Sequence, residues 1–438
     1  MREKELFAAF APLRIGVIGD FALDVYFGLA TQTGEVSVET GKAVHHGSHI
    51  RAAPGGAGNV ALNLAALGVG EVQVFGLVGN DLFGRELRHL FHQQHIQTQG
   101  LLTAQHPWES CAYLKPMLGK TEHNRLDFGS HNHAATPDLE AVFEALSHSL
   151  PQLHALIINQ QFAHPLLRQE VVKKLDRLLQ AFPHCRLFAD MRSLRPDFQG
   201  ATLKLNAAEL AGLLALDFLD EQDDAQCEQY LNQARRLTSL PILLTRGSSG
   251  LMYAGPSGSW VQPGIYLRGP IDSVGAGDAC ISAFAACMAA GMPVKQALEV
   301  ANLAAAVTTR KLYQTGTASP AEIVALAQDC GYNYHLDLAA DLRKAHYLPQ
   351  SEIEVVEPIP TPAHFTHAIF DHDGTLSTLR EGWEAVMLEV MMEMIAGAQL
   401  HKLDTATYEA LKQACARFIN DTTGVQTIVQ MQGLREMA

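Results

Sequence analysis

The chain has no run of apolar residues long enough to span a bilayer, and Met1-Arg2-Glu3-Lys4-Glu5 leads into no secretory hydrophobic segment. Positive charge is short: 32 Lys and Arg stand against 46 Asp and Glu, a formal net charge of −14. That balance argues against nucleic acid or an anionic membrane as the main partner. The seven cysteines (Cys111, Cys185, Cys227, Cys280, Cys287, Cys330, Cys415) are odd in number and form no C-x-x-C, so free thiols in a reducing cytoplasm are expected. There is no internal repeat and no Walker A sequence. Histidine is plentiful, at 20 residues. The local pairs His45-His46 and His131/His133 have no Cys or carboxylate companion at metal-ligand spacing, and read as solvated loop residues.

What is present fits a soluble globular protein with a filled core: 47% of residues are hydrophobic and 18% charged. A length of 438 residues calls for two or three domains. Short apolar runs at 13–19, 72–78, 155–159, 186–190, 201–205 and 241–245 alternate with amphipathic helical patterns such as 137–150 and 165–182. The alternation predicts an α/β protein with a doubly wound, mostly parallel sheet and helices on both faces. Ligands bind such sheets beyond the carboxyl ends of the strands. Segments 28–49 and 111–128 break the pattern with polar–apolar alternation and turn signals, and predict a small inserted β lid that could cover a substrate or form a homodimer contact. Residues 1–330 are expected to form one domain. Residues 331–363 read as a linker, Pro-rich and acidic in its later part (EIEVVEPIPTP), and residues 364–438 as a second unit. In that unit a strand at 367–370 and helices at 383–395 and 405–419 are expected.

Five motifs carry chemistry. In Ile271-Asp272-Ser273-Val274-Gly275-Ala276-Gly277-Asp278 two glycines precede a helix start, so bare N–H groups can converge on an anion beside a carboxylate. A glycine turn capped by Asp has the same spelling. Pro54-Gly55-Gly56-Ala57-Gly58-Asn59-Val60-Ala61 contains a formal dinucleotide fingerprint, with Asp81 at about the distance of a ribose-binding acid. The polar residues before Pro54 make a poor first strand, and a loop whose glycines let a sugar approach, with Asn59 offering its amide, fits better. Gly19-Asp20-x-x-x-Asp24 ends the first strand, and its second carboxylate could accept from two sugar hydroxyls or serve as a turn residue. Asn206-x-x-Glu209 places an amide and a carboxylate on one helical face, suited to hydrated Mg²⁺ or to a capping box. Thr245-Arg246-Gly247-Ser248-Ser249-Gly250 is a strand-to-turn loop suited to phosphate contacts through backbone N–H groups. Cys280 and Cys287, in the small-residue run CISAFAACMAAG, read as packing residues.

In this order the motifs resemble the ribokinase-like (PfkB) carbohydrate kinase family over about residues 10–330. The Arg125-Leu126-Asp127-Phe128 segment and the opening RIGVIGDFALDVYF are most similar to bacterial D-glycero-D-manno-heptose-7-phosphate kinases. Two places differ. Those enzymes carry a proline-rich stretch where this chain has Ser37-Val38-Glu39-Thr40-Gly41-Lys42-Ala43, and usually an acidic residue where Asn159-Gln160-Gln161 ends a strand. The resemblance implies a ribokinase-like fold and a cytoplasmic enzyme that uses ATP and Mg²⁺ to phosphorylate a sugar or sugar phosphate. A nucleoside kinase, or a silent sugar-phosphate-binding protein, are the alternatives. It implies Asp278 as the base, with Gly275, Ala276 and Gly277 as the anion hole. Asn206 and Glu209 would organise Mg²⁺ and the nucleotide phosphates. Thr245, Gly247, Gly250 and Asn302 would line the nucleotide site, and Asp24, Gly55, Gly56, Asn59 and Asp127 the sugar site. At a helix N-terminus Asp278 is expected to be a weak base, sufficient where the hydroxyl proton leaves late.

Ala368-Ile369-Phe370-Asp371-His372-Asp373-Gly374-Thr375-Leu376 resembles the first motif of the haloacid-dehalogenase-like (HAD) phosphohydrolases. By that resemblance Asp371 is the nucleophile, Asp373 the general acid, and both contact Mg²⁺. Only helical patterns follow, and one strand cannot close a sheet. A partial HAD-like segment with little or no phosphatase activity is the expectation.

Overall fold

A computed structural model describes residues 3–30, 34–119, 121–162, 164–192, 198–256, 258–265, 267, 270–312, 314–328, 366–370, 383–422 and 430–434. The chain divides into two compact units, Met1–Ala345 and His346–Ala438.

The first unit begins with α1 (Glu3–Ala8), β1 (Arg14–Gly19), β2 (Phe21–Leu29), β3 (Gly47–Gly56), α2 (Ala57–Ala66), β4 (Glu71–Val78), α3 (Leu82–Gln93) and β5 (Gln97–Thr103). Three short strands follow, β6 (Cys111–Leu118), β7 (Thr121–Glu122) and β8 (Leu126–Phe128), then α4 (Thr136–Ser149), β9 (Ala155–Gln160), α5 (Gln169–Gln180) and β10 (Arg186–Met191). The nucleotide-side motifs lie on β11 (Thr202–Asn206), α6 (Ala207–Leu213), α7 (Asp224–Thr238), β12 (Ile242–Thr245), β13 (Leu251–Gly255) and β14 (Gly258–Gln262). Helices α8 (Ala276–Ala289), α9 (Val294–Thr309) and α10 (Pro320–Ala327) complete the described part of the unit.

Nine strands form the main sheet in the order β14-β13-β12-β11-β10-β9-β1-β4-β5. From β12 to β5 all pairs are parallel, and β13 and β14 add an antiparallel edge. The central strands are apolar on both faces, as burial on both sides requires. Ile15 and Val17 of β1 enter one core, with α2, α8 and α9. Ile18 enters the other, with α4 and α5. From β1 the chain moves to β4 and β5 on one side, then returns to β9–β12 on the other. The boundary between β1 and β9 is therefore the topological switch point, where this architecture opens a crevice.

The inserted strands form a second sheet of five, ordered β3-β2-β6-β7, with β8 also paired to β6. Only Asp20 separates β1 from β2, so one continuous extended run feeds both sheets. Two expectations change here. Within 28–49 the ends are strand, but the middle holds a single bridge, Val36 to Ala43. Strand β3 runs from 47–49, expected as lid strand, through to 54–56, read as the start of a glycine loop, and is antiparallel to β2 throughout. Backbone pairing with β2 overrides the poor strand character of that segment. The arrangement is no strand–helix–strand nucleotide unit, and Asp81 is spent capping α3 through Gly84 and accepting from the Ser110 N–H. The dinucleotide alternative ends there.

The second unit contains α11 (Trp383–Ala396) and α12 (Thr405–Asp421), capped by Asp404. Met391, Met392, Cys415, Ile419 and Leu434 form its small core. The strand expected at 367–370 is not seen: these residues join no ladder, and Ile369 is 99% exposed. With no neighbouring strand among the described residues to satisfy its backbone, the apolar pattern alone does not make one. No described helix is long and apolar enough to cross a membrane.

Candidate active site

Gly275 precedes α8 with φ 82° and ψ −4°, a left-handed turn that suits glycine and aims the first N–H groups of α8 outward. Asp278 stands in that first turn. Its carboxylate is gripped from two sides: Asn59 Nδ2, from the start of α2, donates to Oδ2 at 2.8 Å, and Gln161 Nε2, just after β9, donates to Oδ1 at 3.2 Å. Burial pushes the Asp278 carboxyl up to about 6. Repulsion from Asp190 adds to this, and the Asn59 and Gln161 bonds and the Lys204 charge oppose it. The sequence predicted a weak base on helix-dipole grounds. Burial is the largest influence on this carboxyl, and it shifts the carboxyl upward rather than downward.

Beneath this turn lies a buried ion pair that the motifs did not reveal. Lys204 of β11 donates to Asp190 of β10 at 3.0 Å, and both are nearly inaccessible. A Cβ added to Gly277 would lie 3.2 Å from Lys204 Nζ, so the ammonium sits directly under the Gly277 backbone. Burial works against the Lys204 charge, but Asp190 and then Glu209 outweigh it and hold the lysine protonated. The one sequence signal was an ionisable residue inside each apolar strand, LKLN and FADM.

The expected nucleotide residues come together at the carboxyl ends of neighbouring strands. Asn206 of β11 pairs in register with Thr245 of β12. Asn206 and Glu209 form a full capping box: Asn206 Oδ1 accepts from the Glu209 N–H at 2.8 Å, and Glu209 Oε2 from the Asn206 N–H at 2.9 Å. Burial raises the Glu209 pKa, opposed first by that backbone bond and then by Lys204. Both Gly247 and Gly250 have positive φ. Arg246, just before them, is buried and ties the loop to Asp224 and to the Ser249 carbonyl. Asn302 of α9 donates to the Pro263 carbonyl at 2.7 Å, and the same 262–264 segment packs against Gly250. Among the described residues no group of three His, Cys, Asp or Glu could hold a metal by itself. A hydrated Mg²⁺ asks for less, since it accepts one or two carboxylate oxygens and otherwise water and phosphate. Glu209 fits that demand, because the capping box engages only its Oε2.

Of the expected sugar residues, Asp24, Gly55 and Asp127 share one face of the second sheet. Asp24 of β2 is in register with Tyr113 of β6, which is in register with Asp127 of β8. Asp24 pairs with buried Lys115 at 3.0 Å and accepts from Thr315 Oγ1 at 3.3 Å. Burial opposes the Lys115 charge, yet Asp24 and Tyr26 raise its pKa. Arg125 makes a two-pronged pair with Asp127 and lies over the Tyr113 ring at 4.7 Å. A Cβ on Gly55 would lie 2.9 Å from Asp24 Oδ2, so nothing larger than glycine leaves that carboxylate clear. Gly56 turns β3 into α2. Asn59, assigned to the sugar, instead directs its amide at Asp278. Lys115, Thr315, Gln161, Lys204 and Asp190 escaped the sequence reading because each belongs to no short motif. Asp371 and Asp373 lie outside the described residues.

The family model described as "pfkB family carbohydrate kinase" matches residues 25–322. A bifunctional protein HldE of Coxiella burnetii is 31% identical over 317 residues, covering 71% of this chain and 63% of its own length. That of Proteus mirabilis is 29% identical over 308 residues, covering 70% and 62%. The chain thus spans under two thirds of the length of these curated relatives. Among solved structures, Arabidopsis thaliana ribokinase complexed with ribose and ATP aligns at TM-score 0.53 and 15% identity, covering 72% of this chain and 99% of its own. Escherichia coli phosphofructokinase-2 in complex with potassium aligns at 0.56 and 14%, covering 72% and 97%.

Proposed function

The chain belongs to the pfkB family of carbohydrate kinases, and from that membership we propose that it transfers the γ-phosphoryl group of ATP to a hydroxyl of a sugar or sugar phosphate, with a heptose 7-phosphate as the leading acceptor. The observation that carries the reading is Asp278, a carboxylate of raised pKa held by two amides in the first turn of α8, beside the backbone N–H groups of 275–277. In the proposed step the acceptor oxygen bonds to the γ-phosphorus as the bond from that phosphorus to the β,γ-bridging oxygen breaks. The bridging oxygen leaves with ADP, and the hydroxyl proton passes to Asp278. Backbone N–H groups at 275–277 and the Lys204 ammonium beneath them face the charge that builds on the transferring group. Mg²⁺, when bound near Glu209, would neutralise the nucleotide phosphates. Asp24, with Lys115 and Thr315, would orient the acceptor, and the Arg125–Asp127 pair beside Tyr113 lines the same face. The heptose reading rests on the Arg125–Phe128 segment.

A coupled ADP assay over heptose 7-phosphate, unphosphorylated sugars and nucleosides separates the acceptor classes. Turnover of nucleosides alone would displace the sugar reading. Asp278→Asn is expected to lower turnover by about 10²-fold or more while sugar binding persists. Near-normal turnover in that variant would overturn the assignment of the base.

A further inference from the structure

Both oxygens of Asp278 are occupied by side-chain amides that arrive from opposite directions, Asn59 from α2 and Gln161 from the loop after β9. The Asn59 amide is fixed in turn by its neighbour, and Gln161 is held at its backbone. Asn63 Nδ2 donates to Asn59 Oδ1 at 3.2 Å and to the Asn59 carbonyl at 2.9 Å, which leaves the Asn59 NH₂ no orientation but toward Asp278. The Gln161 backbone N–H donates to Asp20 Oδ2 at 3.0 Å, and the same carboxylate takes the N–H groups of Phe162 and Leu166. A carboxylate that accepts one bond on each oxygen, from donors carried by two different elements, cannot rotate about its last torsion without losing both. Repulsion from Asp190 on β10 and attraction to Lys204 on β11 act on the same group, and neither charge makes a hydrogen bond to it. Orientation therefore falls to the amides.

We propose that Asn59 and Gln161 are positioning residues that clamp the Asp278 carboxylate in its proton-accepting orientation, with Asn63 and Asp20 as the outer anchors of the clamp. The inference rests on the kinase reading for its consequence, although the clamp itself can be tested without any substrate. The resembling heptose kinases usually carry an acid within the stretch where this chain has Asn159-Gln160-Gln161. A carboxylate at position 161 would face Asp278 with like charge and no donor, so the amide is the feature that makes this arrangement possible.

The direct test is titration of ¹³Cγ-labelled aspartate by NMR on the full chain, with the Asp278 signal identified by its loss in Asp278→Asn. In Gln161→Met, which keeps the length and removes the donor, the Asp278 midpoint should rise by about one pH unit, because a bond to the ionised form is lost. In the ATP-coupled assay with heptose 7-phosphate the same variant should lose about tenfold in kcat, with its acidic limb moved upward and the KM for ATP unchanged. Gln161→Asn, which restores a shorter amide, should recover part of both. An unchanged midpoint in Gln161→Met would overturn the clamp whatever the enzyme's substrate. Inactivity of the wild-type chain toward every acceptor would count against the kinase reading alone. Asn59→Asp is the second variant: it keeps the shape, replaces a donor with a charge, and should raise the Asp278 midpoint further. No rise there would equally overturn the proposal.

Discussion

A carboxyl whose pKa is raised by the fold sets a conflict between catalysis and stability at a single residue. For Asp278 the folded value of about 6 lies above the ordinary 3.8. The folded state therefore binds the proton more tightly than the unfolded chain. Stability from this group is complete below about pH 4 and is lost as pH rises through about 6. Asp20 has the same sign, since burial pushes it up to about 6 against the three N–H groups it accepts. Asp278→Asn should consequently be more stable than wild type at pH 7, by on the order of 1–3 kcal/mol, with the gain vanishing near pH 4. Thermal melts of the two proteins across that range check this, and a gain independent of pH would contradict it. The catalytic limb should run the opposite way, with turnover falling below about pH 6 as the base is protonated.

At the scale of elements, α8 joins the site to the core. Ala279, Ala283, Ala285 and Ala286 are fully buried, and this small-residue surface lets α8 pack closely against α2 and α9. Cys280 and Cys287 belong to the same surface. Burial pushes the Cys280 thiol up to about 12 and raises Cys287 as well, so both remain unreactive packing groups. Ala285→Leu should destabilise the protein by about 1–3 kcal/mol through overpacking, read as a lower urea midpoint at unchanged slope. A neutral effect would mean that α8 packs more loosely than described. The strands of the main sheet were legible because burial on both faces leaves nearly unbroken apolar runs bounded by turns. Strands β10 and β11 were found to within a residue or so, yet Asp190 and Lys204 within them were passed over. A polar residue in an apolar strand shows its partner only when the register is known. The later part of strand β3 was misread for a related reason: its strand state is set by pairing with β2, from Leu29 against Gly47 to Phe21 against Gly56, and not by its own propensity. Within the candidate site the glycine turn before α8 and the place of Asp278 in its first turn were readable, because both are local structure. Gln161 and Lys115 were not, because their meaning depends on residues more than a hundred or nearly a hundred positions away.

On the scale of the whole molecule, both cores of the main sheet and the whole second sheet are built from residues before 330. The second unit has its own small core of methionines, Cys415, Ile419 and Leu434. A chain ending at residue 345 should therefore fold and keep kinase turnover within about twofold of the full chain. A truncated chain that is insoluble, or folded and inactive, would show that the second unit contributes to the first.

The clamp at Asp278 also bears on how the chain reaches its native state. Its bonds join residue 59 to residue 278 and residue 161 to residue 278, while Asp20 joins the first strand to residue 166. Closing loops of such length is slow, and they close only after the strands between them have paired. A nascent or partly refolded chain can hold its helices and half of its sheet while the base still lacks both partners. The Asp278 site is therefore expected to be completed late in assembly, after the strands that carry its partners have paired.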